Sequence, residues 1–344
     1  MKVLLKKVGI LILIIACIGV KKPLTVSAQQ TYSKFSISTK INEFLQIAAL
    51  DPEQYGLSNV DLNNLQLCEP ISPYTITENG ELKEIQEIKY YFICSNGQPV
   101  ADVIFCKDSN LSIPSLTFET ETALKLSDFL KTNNEFTLLH NDNDISILPS
   151  GNKLMYSVDS PIGLSMTKVE SNNMVTSSYP SYYLLNVPFV PQGNDNLCWA
   201  ACAASVGKYK TGISRTARDV ADQLEVGYDD GANISLTSEA LSNVFGILST
   251  AVSGYMQNIS YIADELIADK PIIAGFANPS YGHMVVICGY SASTQGAVLI
   301  VRDPNHSSTK MVSPGVDSYG NYTWVISYYS SLGLLYWYQS VFLN

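Results

Sequence analysis

The sequence predicts two compact units of the α+β class, the second built as a helical lobe followed by an antiparallel sheet lobe. Three observations carry this. The 344 residues are too many for one small module and too few for three. Apolar residues make up 46% and charged residues 15%, at a mean hydropathy of +0.10, so the chain can fill a core and has no signature of disorder. The apolar spacing is helical in segments between residues 197 and 268 and strand-like from Pro271 onward, the order expected when helices pack on a sheet.

In chain order, Lys2, Lys6 and Lys7 precede the apolar run Val8 to Val20, which is shorter than the ~20 residues needed to cross a bilayer. The small residues Val26-Ser27-Ala28 then stand before Gln29. Residues 1–28 read as a secretory signal peptide, so the expected location is extracellular. The alternative is a lipoprotein signal in which Ile14-Ile15-Ala16-Cys17 leads to acylation of Cys17, although Ile18, Val20 and Lys21-Lys22 would make an unusual mature start. No later segment reads as a membrane span.

Residues 29–170 read as a small α+β unit with a meandering sheet. Helical spacing over Ile41 to Leu50 stops at Asp51-Pro52, and Thr122 to Lys131 reads as a second short helix. Between them, IKYYFIC and PVADVIFC flank Ser95-Asn96-Gly97-Gln98, and Asn-Gly between two β-rich runs predicts a hairpin over residues 87–106. Short strands follow in EFTLLH, ISILPS and KLMYS. This unit holds no constellation of reactive groups, and His140 beside Asn141-Asp142-Asn143-Asp144 reads as a turn residue. Val169 to Pro180 is rich in Ser, Asn and Thr, which places a linker with a candidate maturation site at residues 171–181. From residue 182, helices are expected over Leu197 to Tyr209, Arg215 to Leu224, Thr237 to Phe245 and Ser260 to Ala268. Strands are expected in PIIAGF, HMVVICGY, AVLIVRDP, WVISYYS and LLYWYQSVF.

The charge excludes one class of partner. Subtracting 31 acidic from 21 basic residues leaves −10, with a pI near 4.8, so the chain gains nothing from releasing phosphate counterions and nucleic acid is not expected. Seven Cys are too few for a disulfide scaffold and leave thiols for chemistry. Cys68, Cys94 and Cys106 can bridge in an oxidising compartment, but three cannot all pair. Any step that needs imidazole must use one of the three histidines, His140, His283 or His306. His306, in the polar run Asp303-Pro304-Asn305-His306-Ser307-Ser308, reads as a surface residue.

Cys198 follows the polar loop Gln192-Gly193-Asn194-Asp195-Asn196 and opens an apolar helix. Its sulfur is therefore expected near unpaired N–H groups and the positive end of the helix dipole, which favour a thiolate. Cys202, a turn further on, and Cys288 read as core residues. A thiolate nucleophile needs a base, and His283 at the start of a strand is a rigidly held imidazole. Asp303 ends the next strand, close enough in a hairpin to accept the Nδ1 proton of His283, although it can equally be a turn residue before Pro304. Gln192 can donate to a developing oxyanion together with the Cys198 backbone N–H. A Cys198–Cys202–His283 metal site lacks CxxC or HxxxH spacing, and no metal or cofactor is expected.

QGNDNLCWAAC resembles the Gln-to-Cys-Trp loop and helix of the papain-like cysteine peptidases, and GHMVVICGY is similar to their histidine strand. The opening YYLLNVPFVPQ and the Asp303-Pro304 pair look most like the short bacterial branch, which includes staphopain-like secreted peptidases, type III effector proteases and bacteriocin-leader peptidases. The resemblance covers about residues 182–344. It implies a papain-like catalytic domain with Cys198 as nucleophile, His283 as general base and acid, Asp303 as orienting residue and Gln192 as oxyanion donor. Trp199 would pack behind the nucleophile. Papain has Asn where Asp303 stands, and the loop here lacks the partner of papain's disulfide. The resemblance also implies that residues 29–170 are a propeptide, an intramolecular inhibitor that occupies the cleft until removed. The alternative for that unit is a stable accessory domain. The expected activity is hydrolysis of a protein or peptide substrate by a secreted zymogen. An acyl transferase of transglutaminase type with the same triad, or a silent binding module on a peptidase fold, are the competing readings.

Overall fold

The computed structural model describes residues 37–109, 111–140, 145–149, 151–162, 179–254, 258–293, 296–318, 322–329 and 333–344. Residues 1–28, expected to be a signal peptide, and Cys17 lie outside these residues, as does most of the expected linker. Among the described residues, no helix is long and apolar enough to cross a membrane.

The Asn-Gly signal is realised directly. Asn96 and Gly97 stand at φ 51° and 78°, the pair of positive values that a two-residue hairpin turn requires, between strands Ile88–Ser95 and Gln98–Cys106. The strand Ser115–Glu119 adds to this hairpin. Its other edge does not end the sheet, because it pairs antiparallel with Lys310–Ser313, Phe118 opposite Met311 and Thr117 opposite Val312. The sheet then runs on through Gly296–Arg302, Gly282–Ser293, Ile272–Ala277 and Gly333–Leu343 to Ser249–Ser253. On the far side it continues from the hairpin through Leu65–Cys68 to Tyr156–Ile162. Both halves of the chain thus belong to one continuous antiparallel sheet. Neither Ser115–Glu119 nor Lys310–Ser313 stands out in the sequence: each is short, and what makes it a strand is the partner.

Helices cover this sheet where predicted, with shifts of a few residues at their ends: Ile37–Ala48, Glu121–Leu130, Cys198–Thr211, Ala217–Gln223, Ile234–Phe245 and Ile259–Ile267. Their limits have local causes. Thr216 and Asp219 form a reciprocal capping box that starts Ala217–Gln223, and Asn233 accepts from the Leu236 N–H to start Ile234–Phe245. Gly212 and Gly246 end two helices in the left-handed region. One apolar core takes in Phe44, Leu45 and Phe118 from the first half with Val298, Ile300 and Met311 from the second. A smaller core, around Tyr90, Phe92 and Phe136, belongs mainly to the first half.

The helix Cys198–Thr211 is buried from Trp199 through Gly207, so it runs through the interior rather than along it. Small residues permit this. A Cβ on Gly207 would lie 2.4 Å from the Phe245 ring. Gly207→Ala is expected to destabilise the fold by about 1–2 kcal/mol, the cost of overpacking outweighing the gain in helix propensity. Urea unfolding of the two forms measures this, and an unchanged or higher midpoint would refute it.

Two of the last residues expected in a free linker are bound to the second half. The Pro180 carbonyl accepts from the Tyr290 hydroxyl at 3.0 Å and the Ser181 carbonyl from the Ala292 N–H at 2.8 Å. Tyr182–Leu184 then pairs with Gly282–Ser293.

Candidate active site

Cys198 is the first residue of its helix and is half-buried at the floor of a cleft of about 370 Å³. The loop before it is tied down at several points. Gln192 donates its N–H to the Pro304 carbonyl, Asn196 bonds to the backbone of Tyr228 and Asp229, and Asp195 takes a two-pronged bond from Arg218 at 2.7 and 3.1 Å. The bond to Pro304 joins this loop to the chain just after Asp303.

His283 enters from the second residue of Gly282–Ser293, paired across the sheet with Phe276. Asp303 immediately follows Gly296–Arg302, the neighbouring strand, as a hairpin requires. His283 and Asp303 bond at 2.9 Å through Nε2 and Oδ1, both fully buried, and the Cys198 side chain is near enough to the His283 ring to raise its pKa. The sequence reading placed Asp303 on Nδ1. The structure places it on Nε2 instead. Burial alone would push the His283 pKa down. The Asp303 charge and hydrogen bond, with the Cys198 contact, overcome this and raise it to about 10, so the ring is held protonated at neutral pH. Asp303 is held well below the usual carboxylate range: burial opposes this, but His283, His306 and Lys310 more than compensate.

Gln192 lines the same cleft. Its amide nitrogen donates to the Asp195 carbonyl at 3.0 Å, which leaves a second amide hydrogen, while its Oε1 is buried with no hydrogen-bond partner among the described residues. Gln192, Cys198 and His283 therefore line one opening, and Asp303 is fully buried on His283. Trp199 is fully buried, and Cys202 and Cys288 are core residues.

Other residues depart from the sequence reading. His140 is not in a turn: it ends the strand Phe136–His140, 2% exposed, with its Nε2 at 3.0 Å from the Tyr90 hydroxyl. His306 is not a surface residue. Its Nδ1 bonds to Glu121, its Nε2 stands 3.6 Å from Asp303 Oδ2, and its side chain is 15% exposed. Lys310, which the sequence does not single out, lies 3.9 Å from the same oxygen and is ion-paired with Glu119, both buried. A second polar pocket of about 370 Å³ adjoins the cleft, sharing Gln192, Asn196 and Tyr281 with it. Phe276, Met284 and Tyr338 supply the cleft's apolar side. The alternation around His283 points to Phe276 as its cross-strand neighbour, whereas Tyr338 depends on how the last strand closes the sheet. Elsewhere, Cys68 and Cys94 lie with their sulfurs 3.2 Å apart as free thiols, the pair placed to bridge, and Cys106 is a third buried thiol.

Residues 184–330 match the Peptidase_C39 like family, a group of papain-like cysteine peptidases. The match contains Gln192, Cys198, His283 and Asp303 and ends before the last strand, Gly333–Leu343, which adds Tyr338 to the cleft. No curated protein matches the chain.

Proposed function

We propose that the protein is a secreted cysteine endopeptidase that cuts peptide bonds through Cys198, His283, Asp303 and Gln192. The observation that carries this is Cys198 and His283 lining one cleft, with His283 bonded to the buried Asp303, inside a stretch that matches a cysteine-peptidase family. The sulfur, as thiolate, attacks the scissile carbonyl carbon. The second amide hydrogen of Gln192 and the Cys198 N–H receive the oxyanion. His283 then gives its proton to the leaving amine, and an acyl-enzyme remains. Water loses a proton to the now neutral His283 as it attacks the thioester, and the thiolate departs. Asp303 keeps the ring oriented and charged between steps.

Secretion finds its support in the basic, apolar and small-residue order of residues 1–28. A zymogen state draws on that leader and on the polar stretch before Tyr182. Against an occluding role stands the cleft itself, which no described residue before Gln192 lines.

The test uses the full chain, wild type and Cys198→Ala, incubated under reducing conditions with an unfolded protein at about pH 6.5, where His283 is protonated. Peptides are mapped by mass spectrometry. Cleavages found only with the wild type are expected. Their absence from a folded chain whose Cys198 reacts no faster with iodoacetamide than Cys202 would refute the reading. Incorporation of an added amine in place of water would redirect it to acyl transfer.

A further inference from the structure

We propose that the active site is completed by the first half of the chain: the segment Glu119 to Lys125 positions Asp303 through Lys310 and His306 and forms one side of the pocket next to the cleft, so the first half stays with the enzyme. The inference rests on the peptidase reading of the cleft and adds a role for residues that reading does not use.

The first line of support is buried charge. Asp303 is flanked by three basic side chains, His283, His306 and Lys310. Two of these are held from the first half. Lys310, 1% exposed, is ion-paired with Glu119, 3% exposed, and His306 is bonded to Glu121. Glu119 also accepts from the Thr122 hydroxyl at 2.6 Å. A buried ammonium that loses its partner is strongly unfavourable and seeks another acceptor. Asp303 Oδ2 stands 3.9 Å away, and the reaction depends on how Asp303 sits on His283.

The second line is position. Glu121 and Lys125 line the pocket that meets the catalytic cleft at Gln192 and Tyr281, together with His306 and Asp195. A peptide lying across Cys198 and reaching past Gln192 enters that pocket, so part of its surroundings comes from the helix Glu121–Leu130.

The third is the joint between the halves. Removing the first half would expose the edge of Lys310–Ser313 and part of the shared core. It would also break the bonds from Arg302 and Thr309 to Gln54 and from Ser115 to the Ser313 carbonyl. A propeptide that departs would leave all of this unsatisfied.

The experiment takes the full chain with a site for a sequence-specific protease placed between residues 163 and 178, cut and uncut. The cut halves are expected to co-elute, also in about 1 M NaCl, where exposed ion pairs are screened, and to cleave peptides within about two-fold of the uncut chain. Glu119→Gln is expected to lower kcat by about ten-fold or more with KM little changed, as misplacement of a catalytic group does, and Glu119→Asp to restore part of it. Lys125→Ala, on the exposed side of the helix, is expected to raise KM for long peptides and leave short ones unaffected. Halves that separate to give a second half cleaving as fast as or faster than the intact chain would overturn the proposal and make the first half an inhibitor. A Glu119→Gln chain with wild-type kcat, together with unchanged KM in Lys125→Ala, would overturn it equally. If no form cleaves any peptide, the peptidase reading fails by itself. Co-elution and slower alkylation of Cys198 in Glu119→Gln then still decide this proposal.

Discussion

His283→Gln is expected to reduce peptide cleavage by about 10³- to 10⁵-fold, the range for losing a general acid–base that also activates the nucleophile. The size follows from how much one ring does. In the wild type it carries a proton at neutral pH because Asp303 outweighs the cost of burial, and that proton both gives the sulfur a cationic partner and is the one the leaving amine needs. Glutamine has a similar reach but neither takes up nor gives a proton. The fold should survive the change, since Asp303 keeps Lys310 and His306 as neighbours. Kinetics on a peptide from the mapped cleavages would measure the loss. Unfolding of His283→Gln and of the double variant His283→Gln/Asp303→Asn separates folding from chemistry. The double variant should recover stability and no activity. A single variant retaining activity within about ten-fold of wild type would remove His283 from the reaction.

The four candidate residues can be singled out in the sequence because each stands at an element boundary: Cys198 at a helix start, His283 at a strand start, Asp303 at a strand end and Gln192 in the loop before the helix. Boundaries leave marks in local patterning, as Asn96-Gly97 also does for the hairpin. What was illegible depends on contacts between distant segments. His306 looks exposed because its neighbours are polar, yet Glu121, 185 positions earlier, covers it. Nothing in the sequence marks Lys310 until Glu119 is placed against it. His140 sits beside Asn141 and Asp142 and reads as a turn, but its partner Tyr90 lies on a different strand. The same holds for the architecture. The composition change near residue 180 suggests two separable units, and only the pairing of Ser115–Glu119 with Lys310–Ser313 reveals a shared sheet. The choice of Nε2 over Nδ1 at His283 is likewise something that alternation alone does not specify.

Asp303→Ala is expected to cost about 3–5 kcal/mol of stability at its greatest, because it leaves a fully buried imidazolium and a nearby ammonium without their shared anion. The cost should depend on pH in a defined direction. His283 has its pKa raised to about 10 in the folded protein, against about 6.5 in an unfolded chain, so its pairing contributes fully below about pH 6.5 and is lost as the pH rises toward 10. Asp303 is shifted the other way. Its contribution is present above about pH 4 and is lost as the pH falls below that value. The stability difference between wild type and Asp303→Ala is therefore expected to peak between about pH 4 and 6.5 and to shrink steadily on the alkaline side. Asp303 also lies 3.9 Å from Lys310, itself paired with Glu119, so a residual difference should persist on the alkaline side. Thermal unfolding of both forms across that pH range is the measurement. A difference that is flat with pH, or that grows as the solution becomes alkaline, would mean that His283 is neutral in the folded protein, and the ring would then have to take the proton from the Cys198 thiol during the attack itself.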